Sequence, residues 1–188
     1  MGYLGYTTVL KLQSRGFFSK VYDFDPNRTE GILKGKYPSN DQSVSWSSTG
    51  NIPSLDVGKI EISSSARDMF SDDTPVHIIS HPATYPGGPE NANLSKLAEI
   101  FKCNASEGKK PLIIFQSASI PGSINKFFIE QLGDKLSCYD IGTAFRSDWS
   151  IEEFMASADA VPCSAVTSEG LKGLMAFFEL LGASTRPL

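Results

Sequence analysis

Cysteine, histidine and tryptophan are all scarce in this chain, with three, two and two copies among 188 residues. Cys103, Cys138 and Cys163 stand far apart and form no Cys-x-x-Cys pair. That spacing excludes a zinc ribbon or a dithiol redox centre, and an odd thiol count excludes a complete disulfide framework. A reduced, cytoplasmic compartment fits. Basic residues are few as well: 17 Lys and Arg stand against 21 Asp and Glu, for a net charge of −4, and the longest basic run is Lys109-Lys110. Phosphate backbones demand a clustered cationic excess, so no nucleic-acid partner is expected. No uninterrupted apolar run approaches the roughly 20 residues of a membrane span, and no basic flank with an apolar core opens the chain as a leader would. The chain is therefore expected to be soluble, unsecreted and independent of membranes. The sequons at Asn27, Asn93 and Asn104 are then idle.

What is present is enough apolar material, 40% of the residues, for one well-buried domain spanning 1–188. No internal repeat or linker divides it. Short β-branched or aromatic runs alternate with helical patterns, the signature of a mainly parallel sheet covered by helices. The best strands are Phe17–Asp23, Val76–Ser80 and Leu112–Gln116, with weaker ones at Lys59–Ser63, Leu136–Ile141 and Ala158–Val166. Helical spacing fits Leu94–Cys103, Ile124–Leu132 and Leu171–Leu181, the first two with Asn93 and Ser123 as N-caps. Between Pro38 and Pro53, Ser, Asn and Gly dominate and predict an exposed loop.

The opening residues carry the most information. Gly2-Tyr3-Leu4-Gly5 supplies the last two glycines of a Gly-x-Gly-x-x-Gly turn, in which a strand feeds a helix whose N-terminus faces a pyrophosphate. Read from Met1, no strand precedes them, so the first strand of such a unit is missing or replaced. Two readings stay open. The glycines form a phosphate turn, or they are relics in an unanchored terminus. Likewise Tyr3 to Leu10, rich in aromatic and β-branched residues, favours a strand that fills the vacant slot; otherwise a partner chain or an upstream segment supplies one. Asp23 ends a strand, where it accepts ribose hydroxyls or merely begins the Asp25-Pro26-Asn27 turn.

In this order the patterns resemble the N-terminal domain of the UDP-glucose/GDP-mannose dehydrogenase family. Gly2-Tyr3-Leu4-Gly5 is similar to the family's Gly-Tyr-Val-Gly turn, and Arg15-Gly16 with Val21-Tyr22-Asp23 to its second strand. Lys34-Gly35-Lys36-Tyr37-Pro38 resembles its Asn-x-Gly-x-x-Pro, and Ile79-Ser80-His81-Pro82-Ala83-Thr84 a strand running into Val-Pro-Thr-Pro. Asn93-Leu94 stands at its Asp-Leu, and Gln116-Ser117-Ala118-Ser119-Ile120-Pro121-Gly122-Ser123 at its Glu-Ser-Thr-Val-x-Pro-Gly-Thr. Phe145-Arg146 and Glu153-Phe154 match remnants of Pro-Glu-Phe-Leu-Arg-Glu-Gly. The resemblance implies a Rossmann-like α/β fold with helices on both faces. It also implies NAD as the cofactor to test, with Gly2, Tyr3, Leu4, Gly5, Asp23, Pro82, Ser117 and Ala118 as the binding positions.

It equally marks what has gone. Family members oxidise a sugar alcohol through a cysteine in Gly-Phe-Gly-Gly-x-Cys, a motif this chain lacks. The family's glutamate and threonine fall at Ala144 and Ala118, which removes polar groups the chemistry uses. None of the three cysteines has the flanking charge that lowers a thiol pKa, so all three are expected to act as small core hydrophobes. His77 and His81 share one side of a strand but find no acidic or thiol ligand beside them, which favours a structural role over a metal site. Ser117 and Ser119 have no base at hand. The expectation is a non-catalytic binding or structural module that contacts its own copies or another protein. The rival is an NAD-binding fragment completed by a separate chain.

Overall fold

The protein is described here by a computed structural model that covers residues 2–33, 53–70, 74–80, 92–116, 119–145, 155–156 and 160–188. Strand β4 (Leu112–Phe115) is buried along its whole length, as a strand covered on both faces must be. It sits second in a five-stranded sheet of order β3-β4-β5-β6-β7, with β3 at Val76–Ile79, β5 at Asp140–Ala144, β6 at Val161–Ala165 and β7 at Thr185–Pro187. The β3–β4, β4–β5 and β6–β7 pairs are parallel, and β5–β6 is antiparallel. Strands β1 (Ser19–Val21) and β2 (Ile60–Ile62) form a separate parallel pair. Among the described residues no ladder joins β1 to β3, so the sheet is broken at the place where a first strand was expected to be missing.

Side-chain alternation along β4 builds two cores. Ile113 and Phe115 face α3 (Ala92–Cys103) and the stretch that leads into α4 (Glu130–Leu132), where Phe101, Phe128 and Leu132 are buried. Leu112 and Ile114 face α5 (Ser168–Leu180) through Leu174 and Phe178. Helices therefore cover both faces. Fully burying a side chain such as Phe128 or Phe178 contributes about 1.5–3 kcal/mol each. Helix α5 starts at the Thr167 hydroxyl, which accepts from the Gly170 amide at 3.0 Å. A third cluster joins Tyr3, Tyr6, Val9 and Leu10 of α1 (Tyr3–Ser14) to Val21 and Ile32.

Several expectations need correction. Tyr3 to Leu10 is not a strand: α1 is helical from Tyr3 and buried from Gly5 to Lys11. Its threonines tolerate this because the Thr7 and Thr8 hydroxyls donate back to the carbonyls of Tyr3 and Leu4, at 3.0 and 2.7 Å, and packing on every side outweighs propensity. Leu136–Ile141 divides, because Gly133 at φ +57 starts a 3₁₀ turn that runs to Cys138, and β5 begins only at Asp140. Asn93 lies inside α3 and does not cap it. Ser123 is likewise helical, since the Lys126 amide already donates to the Gly122 carbonyl at 2.9 Å. Asn125–Ile129 is a π segment, which 3.6-residue periodicity does not anticipate. An unexpected helix α2 (Pro26–Leu33) follows β1. The predicted loop, apart from Pro53, lies outside the described residues, as do Trp46 and Trp149.

Candidate functional site

Gly2 is extended, at φ −81° and ψ −175°, and its carbonyl accepts the first intrahelical bond from the Tyr6 amide at 3.0 Å. Gly2, Tyr3, Leu4 and Gly5 thus form the start of a twelve-residue helix. At the helix's far end, the Gln13 amide pairs with the backbone of Asp56, just ahead of β2, at 2.8 and 2.9 Å. Midway along, the Thr8 hydroxyl, whose one hydrogen is shared with the Leu4 carbonyl, also lies 2.8 Å from Gln116 Oε1, immediately past the end of β4. Helix α1 therefore runs back along the sheet with its N-terminus at the C-terminal ends of the strands, the edge where open α/β sheets bind ligands.

Four residues stand on that edge: Gly2 at the head of α1, Asp23 after β1, Ser80 after β3 and Gln116 after β4. Gln116 is buried and ties the edge together, with Ser80 Oγ also 3.5 Å from its Oε1. Its Nε2 group is buried with no hydrogen-bond partner among the described residues. Sequence reasoning quoted Gln116 but gave it no role; an amide at the end of a fully apolar strand was the available signal. Asp23 Oδ1 accepts the Asp25 amide at 2.9 Å, and Asp25 Oδ1 accepts the Asn27 amide at 3.0 Å. The turn role of these acids is realised, and Asp25 caps α2 with Pro26 at its first position. Pro82, Ser117 and Ala118 lie outside the described residues, as does His81.

Ala144 is buried in the apolar cluster of Cys163, Leu174 and Phe178, so no polar group exists at that position. His77 is 7% exposed and packs against Phe70 and Phe101 at ring distances of 4.9 and 5.3 Å. Burial pushes its pKa down from 6.5 to about 4, so it serves as a neutral packing group. Cys138 and Cys163 are buried, and burial raises the Cys163 pKa. Cys103 is exposed at the end of α3, a correction to its expected place in the core: at 100° per residue it lies on the side of the helix opposite the stripe of Leu94, Ala98 and Phe101. Among the described residues no three His, Cys, Asp or Glu gather to hold a metal. No helix among them is long and apolar enough to cross a membrane. A separate hollow of about 330 Å³ lies over β5 and β6, lined by Ser119, Asn125, Thr143, Ser164 and Val166 without a charged group.

No protein-family model and no curated protein match the chain. Solved structures do. A UDP-glucose dehydrogenase from the hyperthermophilic archaeon Pyrobaculum islandicum superposes with a TM-score of 0.75 at 14% identity, over 100% of this chain and 44% of that one. A GDP-mannose dehydrogenase from Pseudomonas aeruginosa, solved as a ternary complex, gives 0.75 at 15% identity over 99% and 44%. A UDP-D-ManNAc dehydrogenase from Pyrococcus horikoshii gives 0.72 at 17% identity over 100% and 44%. At these identities the likeness is one of fold: a Rossmann-like unit of the kind found in nucleotide-sugar dehydrogenases. The chain spans less than half the length of these three structures.

Proposed function

We propose that this chain is a dehydrogenase-type Rossmann module that binds a dinucleotide of the NAD class and does not itself oxidise a nucleotide sugar. The observation that carries the reading is the opening of α1: an extended glycine without a side-chain cap leads a twelve-residue helix at the C-terminal edge of the sheet. First-turn amides there suit a pyrophosphate, and Asp23, at the end of the neighbouring strand, suits the adenosine ribose. These residues fit the adenosine half of the cofactor. When bound, NAD supplies hydride acceptance; the chain's own contribution is to hold and orient it. The reacting half is poorly provided, because Ala144 offers only a methyl group to the apolar cluster around it. Three free cysteines are in keeping with a reduced, cytoplasmic setting.

The rival reading, a fragment completed by another chain, draws on one observation: each structure cited is more than twice as long as this chain. In either case the partner is a copy of this chain or a different protein.

Calorimetric titration with NAD⁺ and NADH tests the proposal. Binding in the micromolar to sub-millimolar range is expected. Asp23→Ala is expected to weaken it about tenfold or more, the loss of a charge-assisted hydrogen bond. Circular dichroism of the variant checks that losing the Asp23–Asp25 turn leaves the fold intact. A folded sample that takes up neither nucleotide would sink cofactor binding and leave a scaffold.

A further inference from the structure

Gln116 stands where three elements meet. Its amide donates to the Ile79 carbonyl of β3 at 3.0 Å, which fixes its main chain at the ends of β3 and β4 together. By the two-residue alternation of a strand, its side chain leaves the sheet on the same face as Leu112 and Ile114, the face on which α1 sets Leu12. There the residue is 2% exposed and its carboxamide meets the Thr8 hydroxyl at 2.8 Å. An apolar side chain of similar volume would fill this place without the desolvation that a carboxamide brings. Packing alone does not explain the residue.

The contact with Thr8 does. The same hydroxyl lies 2.7 Å from the Leu4 carbonyl, one turn nearer the head of α1. Gln116, Thr8 and Leu4 thus form a polar chain that runs from the end of β4 to the first turn of the helix. A carboxamide suits this chain because it carries both an acceptor and a donor. Its carbonyl accepts the Thr8 hydrogen, or its amino group donates to the Thr8 oxygen while that hydrogen stays on Leu4. The far end of α1 is tied separately, by the two hydrogen bonds between Gln13 and the backbone of Asp56, about 15 Å along the helix from Tyr3 at 1.5 Å per residue. Two glutamines hold one helix, and Gln116 holds the end at the ligand edge.

We propose that Gln116 is a positioning residue for the dinucleotide site: through Thr8 it fixes the height and roll of the first turn of α1, so that the amides there converge on a pyrophosphate. The proposal rests on the dinucleotide reading above. Gln116 is buried and acts through Thr8, not by touching the ligand. Donors held in place beforehand bind an anion without first having to be ordered.

The test titrates NAD⁺ by calorimetry into the natural chain, Gln116→Leu, Thr8→Val, the double variant and Gln13→Leu, and measures a urea midpoint for each. Gln116→Leu is expected to bind NAD⁺ about tenfold more weakly with its midpoint little changed, and to speed amide exchange at Tyr6, which donates to the Gly2 carbonyl, roughly tenfold. Thr8→Val is expected to do the same, and the double variant to bind no more weakly than either single one, since both substitutions break one chain. Gln13→Leu is expected to show the reverse, a lowered midpoint with NAD⁺ affinity kept. Unchanged affinity in Gln116→Leu, additive losses in the double variant, or an equal loss in Gln13→Leu overturns the proposal. Should Gln116→Leu fail to fold, Thr8→Val beside Gln13→Leu decides it on the same terms. A natural chain and variants that bind NAD⁺ equally well defeat this proposal alone, whereas a natural chain that takes up no NAD⁺ defeats the dinucleotide reading with it.

Discussion

Phe128→Ala is expected to lower the unfolding free energy by about 3–5 kcal/mol. Total stabilities of single domains run only about 5–15 kcal/mol, so the variant should stand close to its unfolding midpoint. The physical cause is a cavity that has no means of closing. Phe128 is fully buried and meets Phe115 edge-on at 4.9 Å and Phe101 at 5.5 Å. Phe101 in turn packs on Tyr139, whose hydroxyl donates to the Phe101 carbonyl at 2.8 Å. A ring network pinned from α3, β4 and the approach to β5 does not relax into the gap. Guanidinium unfolding of Phe128→Ala beside Phe127→Ala, its half-buried neighbour, makes the comparison. A loss below about 1 kcal/mol at Phe128 would contradict the packing described.

The second large effect is expected from pH. The folded-state pKa of His77 is pushed from 6.5 down to about 4 by burial, so the native imidazole stays neutral where the unfolded one takes up a proton. Stability linked to His77 is therefore complete above pH 6.5, is lost progressively as pH falls from 6.5 toward 4, and changes no further below that. Two and a half pH units correspond to about 3 kcal/mol. Urea midpoints between pH 7.5 and 4 should fall more steeply for the natural chain than for His77→Phe. The substitution leaves carboxylate contributions in place, so the difference between the two profiles isolates the imidazole. Superimposable profiles would show that His77 is protonated in the folded state and that its aromatic packing does not exclude charge.

Much of this arrangement was legible in the sequence, and the exceptions have identifiable causes. The strands Val76–Ser80 and Leu112–Gln116 were clear because β-branched runs bounded by polar residues have few alternatives. Helix α2 was missed although Asp25-Pro26 is a helix start as readily as a turn; both expectations rest on the same carboxylate, which accepts the Asn27 amide at 3.0 Å in the structure. Helix α1 went against its own composition, because threonine hydroxyls satisfy carbonyls inside the helix and tertiary contacts surround it. Gly2, Gly5 and Asp23 were read from the sequence as cofactor positions, and the structure places the two glycines in the first turn of α1 and Asp23 just after β1. The Gln116–Thr8 contact joins residues 108 positions apart, and no local pattern announces it.

The interrupted sheet also bears on how the molecule comes apart. Among the described residues, 2–33 and 53–70 share no ladder with the rest and are joined to it through side-chain links such as Thr8 with Gln116, Phe70 with His77, and the Arg15 guanidinium laid over Gly182. Such links are weaker and less concerted than paired strands. The cores around Phe128 and Leu174 keep almost all of their own members if that segment lets go. Melting is therefore expected in two stages, with the amino-terminal segment released first and a calorimetric enthalpy larger than the van't Hoff value.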